Sequence, residues 1–365
     1  MSFDFGAAVS SPHRMQPGLR RLAAGARQLT PTTAQARNGS RHLREKLAVL
    51  WAYPSQTLLC QPGFDAGPAL AALLAHAAAE HPNALRLDGG RVAAPALGWA
   101  LGADDQPHPL GSGAGWPEIG ALLLHLPPAW RRTALLCLAF AEDFAVLDGA
   151  TGTLPWLAVA LPSQWAPEHK LGRHFTAVHA PVADNRLITG AAPQLIQLVT
   201  GPQRWERFVW TFSAHPRLHA HPDRVDPARW PAGLDVDTIA AHTWWRTEHQ
   251  TFIPVPGLPS AAAQAVFTIK VDITPLAMAF AHAAQAAQVH DALASMTDAV
   301  LAYRGLTAVQ TPLLQWLAWR AVQPDLASGD QQGGQPAAQA TAPGTAHATA
   351  PSAAQPATQS NASTL

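Results

Sequence analysis

After the acidic pair Glu142-Asp143 the chain changes character. FAVLDG, LPWLAVALP, FTAVHAPV, WERFVWTFS, HTWWRTEHQTF and QAVFTIKVDI follow one another. Each is short, rich in β-branched and aromatic residues, and bounded by turn-forming residues, which is the pattern of strands. Parallel neighbours need a crossover of roughly a dozen residues or more, and most of these connections are too short for a helical one. The spacing therefore predicts an antiparallel sheet, with Ala191–Thr200 as a short helix set between strands.

Helices are expected on both sides of this block. FDAGPALAALLAHAAAEHP, from Phe64, has Asp65 and Pro68 at its start and Pro82 as its stop. Leu122 to Asp143 reads as helical with a break at Pro127-Pro128, and RHLREKLAVLWAY is ambiguous between strand and helix. Leu85 to Gly102 reads as a hairpin around Asp88-Gly89-Gly90. Thr274-Pro275 is expected to open a long helix reaching Ser295, followed by helices at Asp298–Tyr303 and Pro312–Val322. The fold class is α+β. Residues 1–38 read as an extended arm, 39–323 as the folded domain, and 324–365 as a disordered Ala/Pro/Gln/Thr tail.

Charge excludes some partners. Lys+Arg and Asp+Glu balance at 24 each, so nothing steers the chain towards nucleic acid or an anionic membrane. Apolar runs are interrupted before they reach the length of a membrane span, and the first residues lack the layout of a signal peptide. The 2 cysteines, Cys60 and Cys137, are far apart and rule out a disulfide framework or a Cys-rich metal site. A reducing cytoplasm is the expected location. Gly111–Gly115 (GSGAG) has no strand before it and no Gly-Lys-Ser/Thr after it, so it reads as a loop and not a phosphate cradle.

The stretch Leu161–Val182, LPSQWAPEHKLGRHFTAVHAPV, carries the leading chemical candidate. His179 stands at the end of an expected strand just before Ala180-Pro181, where a ring nitrogen can project into a pocket. A satisfied core histidine is the alternative. Glu168, His169 and Lys170 cluster in a turn and read as a solvated corner. HPRLHAHP offers His215, His219 and His221 either as a zinc-binding loop or as a solvated one. Arg246 and Glu248 alternate along one strand and share a face; Arg207 and Val209 do the same on another, with Phe208 and Trp210 opposite. No GxSxG elbow is present, so hydrolase chemistry has no support.

Several segments in order, MQPGLRRL, HLREKL, AEDF, PSQWAPEHKLG, VHAPV, RTEHQTF, AVFTIKVDITPL and YRGL, resemble the haem-dependent oxidative N-demethylase alpha-subunit-like family. The pairing of PSxWxPxxKxG with HxPV is the specific part. The resemblance implies a PAS-like antiparallel sheet, at about 141–274, holding a b-type haem between helical flanks. It implies oxygen-dependent demethylation of a small secondary amine, with electrons from a reductase partner that carries FMN and a 2Fe-2S cluster. The histidine of HxPV, His179, becomes the expected axial ligand of the haem iron. Lys170, Arg207, Arg246 and Trp210 become candidate cofactor contacts, and Glu248, then Asp143, candidates for the carboxylate that holds the ammonium and takes its proton. A haem-binding sensor or ligand-binding module on the same sheet is the alternative function.

The chain departs from that pattern in places. Val209 stands where the family's RxNW segment has asparagine, His249 and Pro254 replace arginines, and Ala183 replaces a proline.

Overall fold

The computed structural model describes residues 3–32, 40–111, 116–225 and 229–326. The loop expected at Gly111–Gly115, apart from Gly111, and the tail beyond 326 lie outside the described residues. The strands are β1 (Arg20–Arg21), β2 (Leu58–Cys60), β3 (Arg86–Asp88), β4 (Arg91–Ala94), β5 (Trp99–Leu101), β6 (Pro107–Pro109), β7 (Asp143–Asp148), β8 (Thr153–Ala158), β9 (Trp205–Ser213), β10 (Trp244–Pro254) and β11 (Gln264–Pro275). A 7-stranded sheet has the order β1-β9-β10-β11-β7-β8-β2, and a 4-stranded sheet the order β3-β4-β5-β6. Every pairing within both sheets is antiparallel. The protein is thus mixed helix and antiparallel sheet.

The expected hairpin appears as β3 and β4, with Gly89 and Gly90 both at positive φ in the turn. That backbone conformation is open to glycine and costly for side chains with a Cβ. RHLREKLAVLWAY resolves as a helix, Arg41–Ala52, capped by the Ser40 side chain accepting from Leu43 N.

Two expectations fail. FTAVHAPV is not a strand: Phe175–His179 is a short helix, with the His174 ring accepting from Thr176 N at its start. The long helix from Thr274-Pro275 is also absent. Strand β11 runs through Pro275, a single turn follows at Leu276–Ala279, and the helix proper is Ala283–Ala294. Thr274 and Pro275 are held as strand by their register with Trp245 and Trp244, which overrides the cap signal.

Side chains alternate across a strand, so the register divides the large sheet into two faces. One face carries Phe144, Val146, Trp156 and Val266 at one end and Trp210, Phe212 and Trp245 at the other. Helices Gly67–Glu80, Pro117–His125 and Pro128–Ala139 pack over the first group. Helices Ala283–Ala294, Asp298–Tyr303 and Gln310–Arg320 pack over the second. The N-terminal arm joins this second layer, where Phe5 stacks on Trp245 at 6.1 Å.

The other face is covered differently. Val199 packs on Leu147, Phe252 and Ala265; Leu171 and Trp165 pack on Ala145, Leu157 and Val159; Leu161 and Leu218 pack on Ile269 and Val271. These clusters surround the middle of β9 and β10 without filling it. No described helix is long and apolar enough to cross a membrane.

Candidate functional site

The recess starts from register. Arg207 lies opposite Gln250, and Val209 opposite Glu248. Glu248 in turn lies opposite Val271, and Gln250 opposite Ile269. All of them point to the same face. Glu248 and Gln250 sit on an interior strand and are still partly exposed, while Thr247, His249 and Thr251, pointing the other way, are buried. Arg207, Val209 and Thr211 are partly exposed too. This part of the face, the recess, is therefore only partly covered; it is polar along Arg207, Glu248 and Gln250, and apolar clusters lie around it.

His179, at the end of its five-residue helix, lies within electrostatic reach of Arg207. Its Nδ1 lies 2.8 Å from the Phe175 carbonyl oxygen, so Nδ1 carries the proton and donates it there. The Nε2 lone pair is left without a protein hydrogen bond among the described residues. The Phe175 ring lies 4.2 Å from the imidazole. Burial pulls the imidazole down to about 4; the Phe175 carbonyl opposes this, and Arg207 and Lys170 add to it. The ring is held neutral, in one tautomer, with one nitrogen bare.

Lys170 fixes the helix that carries this histidine. Its Nζ donates to the Val178 carbonyl oxygen at 3.0 Å, at a helix C-terminus where a cation is favourable. Burial, with Arg173 nearby, holds the Lys170 ammonium below its usual range. Asn185 Nδ2 donates to the His179 carbonyl oxygen at 3.0 Å and closes the following turn.

Arg207 is the unpaired cation of the recess. No carboxylate lies within ion-pair distance of it among the described residues, and its Nε is sealed from solvent without an acceptor. Burial lowers its affinity for its proton, and Glu248 on the next strand opposes that effect. Glu248 accepts a hydrogen bond from Gln250 Nε2, which turns the carboxylate along the strand.

The structure does not bring every expected residue to this site. Trp210 points to the opposite face, 3% exposed, stacked on Trp245 at 4.9 Å under the C-terminal helices. Alternation along β9 requires this once Arg207 faces the recess. Arg246 shares the face of Glu248 but has spent its donors. Its Nε donates to Ser163 Oγ at 2.9 Å, Nη1 to Arg217 O at 2.9 Å, and Nη2 to Leu218 O at 2.7 Å and Pro162 O at 3.4 Å. It staples two loops that also bridge each other directly through Ser163 and Ala220.

Asp143 is likewise committed. It is 1% exposed, pairs with Lys46 Nζ at 3.1 Å, and accepts from Leu161 N at 2.6 Å. Its register opposite Ile269 puts it on the same sheet face as Gln250, but a carboxylate enclosed by an ammonium and a backbone amide is used to hold a helix and a loop against the sheet.

Tyr303 is a neighbour that sequence reasoning did not assign. Arg304 Nη1 donates to the Trp210 carbonyl oxygen at 2.9 Å, on the edge of β9 beyond the short pairing with β1. This anchors the end of helix Asp298–Tyr303, and Tyr303 lies within electrostatic reach of both Glu248 and Arg207. The YRGL segment was the available signal.

The three histidines of HPRLHAHP do not converge. His215 Nδ1 accepts from Arg217 N, His219 Nδ1 donates to the Ala160 carbonyl oxygen at 2.7 Å, and His221 Nε2 faces Glu168 Oε1 at 3.1 Å. Among the described residues the one group with metal-ligand spacing is Glu168, His221 and Asp223, their ligand atoms within 4.8 Å of one another. His221 is already satisfied there, because Nδ1 accepts from Asp223 N at 3.1 Å while Nε2 meets the carboxylate.

The family model described as haem-dependent oxidative N-demethylase, alpha subunit-like matches residues 128–314, just over half of the chain. The chain belongs to this family. The matched span runs from helix Pro128–Ala139 into helix Gln310–Arg320, and so includes β7 to β11, His179, Arg207, Glu248 and Tyr303.

Proposed function

We propose that this family member binds a b-type haem in the recess and uses it for oxygen-dependent demethylation of a small secondary amine. The observation that carries the reading is the His179 imidazole, neutral, with Nδ1 anchored on the Phe175 carbonyl and Nε2 bare, within electrostatic reach of Arg207 on the partly open sheet face. An axial haem ligand needs that tautomer, a carbonyl or carboxylate partner on its other nitrogen, and an otherwise apolar surround. The residues present fit the group. His179 Nε2 would take the iron, and Lys170 is the cation on the same turn for the haem's anionic edge. Val209, on the partly exposed part of the sheet, would line the other side. Residues 141–274, which carry β7 to β10 and nearly all of β11, are the part we read as a PAS-like core.

When bound, haem supplies oxygen activation by electron transfer. In balance, an N-methyl amine, O2, two electrons and two protons give the demethylated amine, formaldehyde and water. The electrons come from a reductase partner carrying FMN and a 2Fe-2S cluster, in a cytoplasmic setting. The chain's own contribution is to hold the amine and manage its proton. A secondary amine is mostly protonated at neutral pH, and its nitrogen lone pair is then unavailable for oxidation. Glu248 is the carboxylate of the recess, oriented by Gln250, and it would bind the ammonium and accept that proton. Asp143 is set aside for this role because Lys46 and Leu161 already occupy it.

Haem-loaded protein supplied with an electron donor should release formaldehyde from dimethylamine in an oxygen-dependent manner. Haem binding without formaldehyde from any N-methyl amine would favour the sensor reading, towards which the loss of the family's asparagine at Val209 also points.

A further inference from the structure

We propose that Arg207 and Glu248 together form a site for a zwitterion, an N-methylated amino acid whose carboxylate pairs with Arg207 while its ammonium meets Glu248. The proposal rests on the reading of Glu248 as the ammonium's partner. It adds a second charge to the ligand, and so names a narrower substrate class than a simple dialkylamine.

The two residues project from neighbouring antiparallel strands onto one face. Arg207 is opposite Gln250 and Glu248 is opposite Val209, so they are diagonal neighbours across β9 and β10. Diagonal positions lie about 7–8 Å apart at Cα, within reach for long side chains of opposite charge. Arg207 and Glu248 nevertheless form no ion pair, and Glu248 is turned instead to the Gln250 amide. An arginine Nε sealed from solvent with no acceptor is costly, and an anion is the partner that would satisfy both it and the charge. A planar guanidinium binds carboxylates in a two-pronged fashion, so a carboxylate is the chemistry that fits best.

Two carboxylates could fill that role, a haem propionate or the ligand's own. The location favours the ligand. Arg207 lies one register step from Glu248 and is flanked on its own strand, opposite Glu248, by Val209. Lys170, partly exposed and hydrogen-bonded to the helix that carries His179, is the cation left for a propionate. Opposed charges held apart with an apolar residue beside them match a molecule that carries both charges.

Calorimetric titration of the wild-type protein, with and without haem, using N-methylglycine and dimethylamine as probes, tests this directly. N-methylglycine should bind at least about tenfold more tightly than dimethylamine. Arg207→Gln should abolish that preference while leaving the haem affinity, read from the Soret band, within about twofold. Arg207→Lys should retain part of the preference, which separates charge loss from misfolding. Equal or weaker binding of N-methylglycine by the wild type would overturn the proposal. A fall in haem affinity in Arg207→Gln with the ligand preference intact would also overturn it, assigning Arg207 to a propionate. If the wild type takes up no haem but still prefers N-methylglycine, the haem reading fails and this one stands.

Discussion

At the scale of single residues, His179 is a ligand candidate for a reason that burial alone does not supply. Many buried histidines use both nitrogens, as His221 does here between Asp223 N and Glu168. His179 uses one. Glu248 is separable from it. Glu248→Gln should leave the Soret band of haem-loaded protein unchanged and raise the KM for the amine by roughly ten- to a hundredfold, equivalent to about 1.4–3 kcal/mol of lost charge pairing. Steady-state kinetics with unchanged KM would remove Glu248 from the role.

Glu142 offers a pH test at the same scale. Burial raises its carboxyl from an ordinary 4.5 to about 7, against the opposing hydrogen bond from Thr30 N. A raised folded value means that the native state holds this proton more tightly than the unfolded chain. Its contribution is complete below about pH 4.5 and is lost as pH rises through about 7, up to roughly 3 kcal/mol. Urea unfolding between about pH 5 and pH 8 should show a steeper loss in wild type than in Glu142→Gln. Parallel profiles would contradict this.

At the scale of elements, the failure over FTAVHAPV is instructive. Phe, Thr and Val in close succession carry strand propensity, yet the segment is a single helical turn fixed from outside. Lys170 holds the Val178 carbonyl and Asn185 holds the His179 carbonyl, and neither contact is visible in local composition. The strand series itself was readable because its aromatic and branched residues alternate, and so was the shared face of Arg207 with Val209. Alternation also places Trp210 on the other face, which is incompatible with its expected role at the cofactor. Which strands become neighbours was not readable, and that is what brings Arg207 beside Glu248.

Helix Arg41–Ala52 is locked by one pair that lies far apart in sequence. Lys46 is 0% exposed and reaches Asp143 at 3.1 Å, with the Phe140 carbonyl at 3.1 Å and the Glu142 carbonyl as its other acceptors. Removing one partner leaves a buried charge uncompensated. Lys46→Met should therefore cost about 3–5 kcal/mol, and adding Asp143→Leu should recover a large part of it. Equilibrium unfolding would show this as a non-additive double-mutant cycle. Additive losses would contradict the pairing.

At the scale of the whole molecule, the sheet is packed unequally. Two helical layers and the N-terminal aromatics Phe3 and Phe5 seal one face. The other is buried over β7, β8 and β11 but open over β9 and β10, the second and third strands of the 7-stranded sheet, where Arg207, Val209, Glu248 and Gln250 stay partly exposed. Charged, half-open residues on an interior strand such as β10 are poor packing unless something else occupies the space. Family membership makes haem the occupant to test first, and His179 the residue that would hold it. Titrating the purified protein with haem and recording the Soret band addresses this most directly. The account predicts a saturable band at one haem per chain in wild type, and its loss or displacement in His179→Ala with the fold intact by circular dichroism. No band in wild type, or the same band in both proteins, would contradict it.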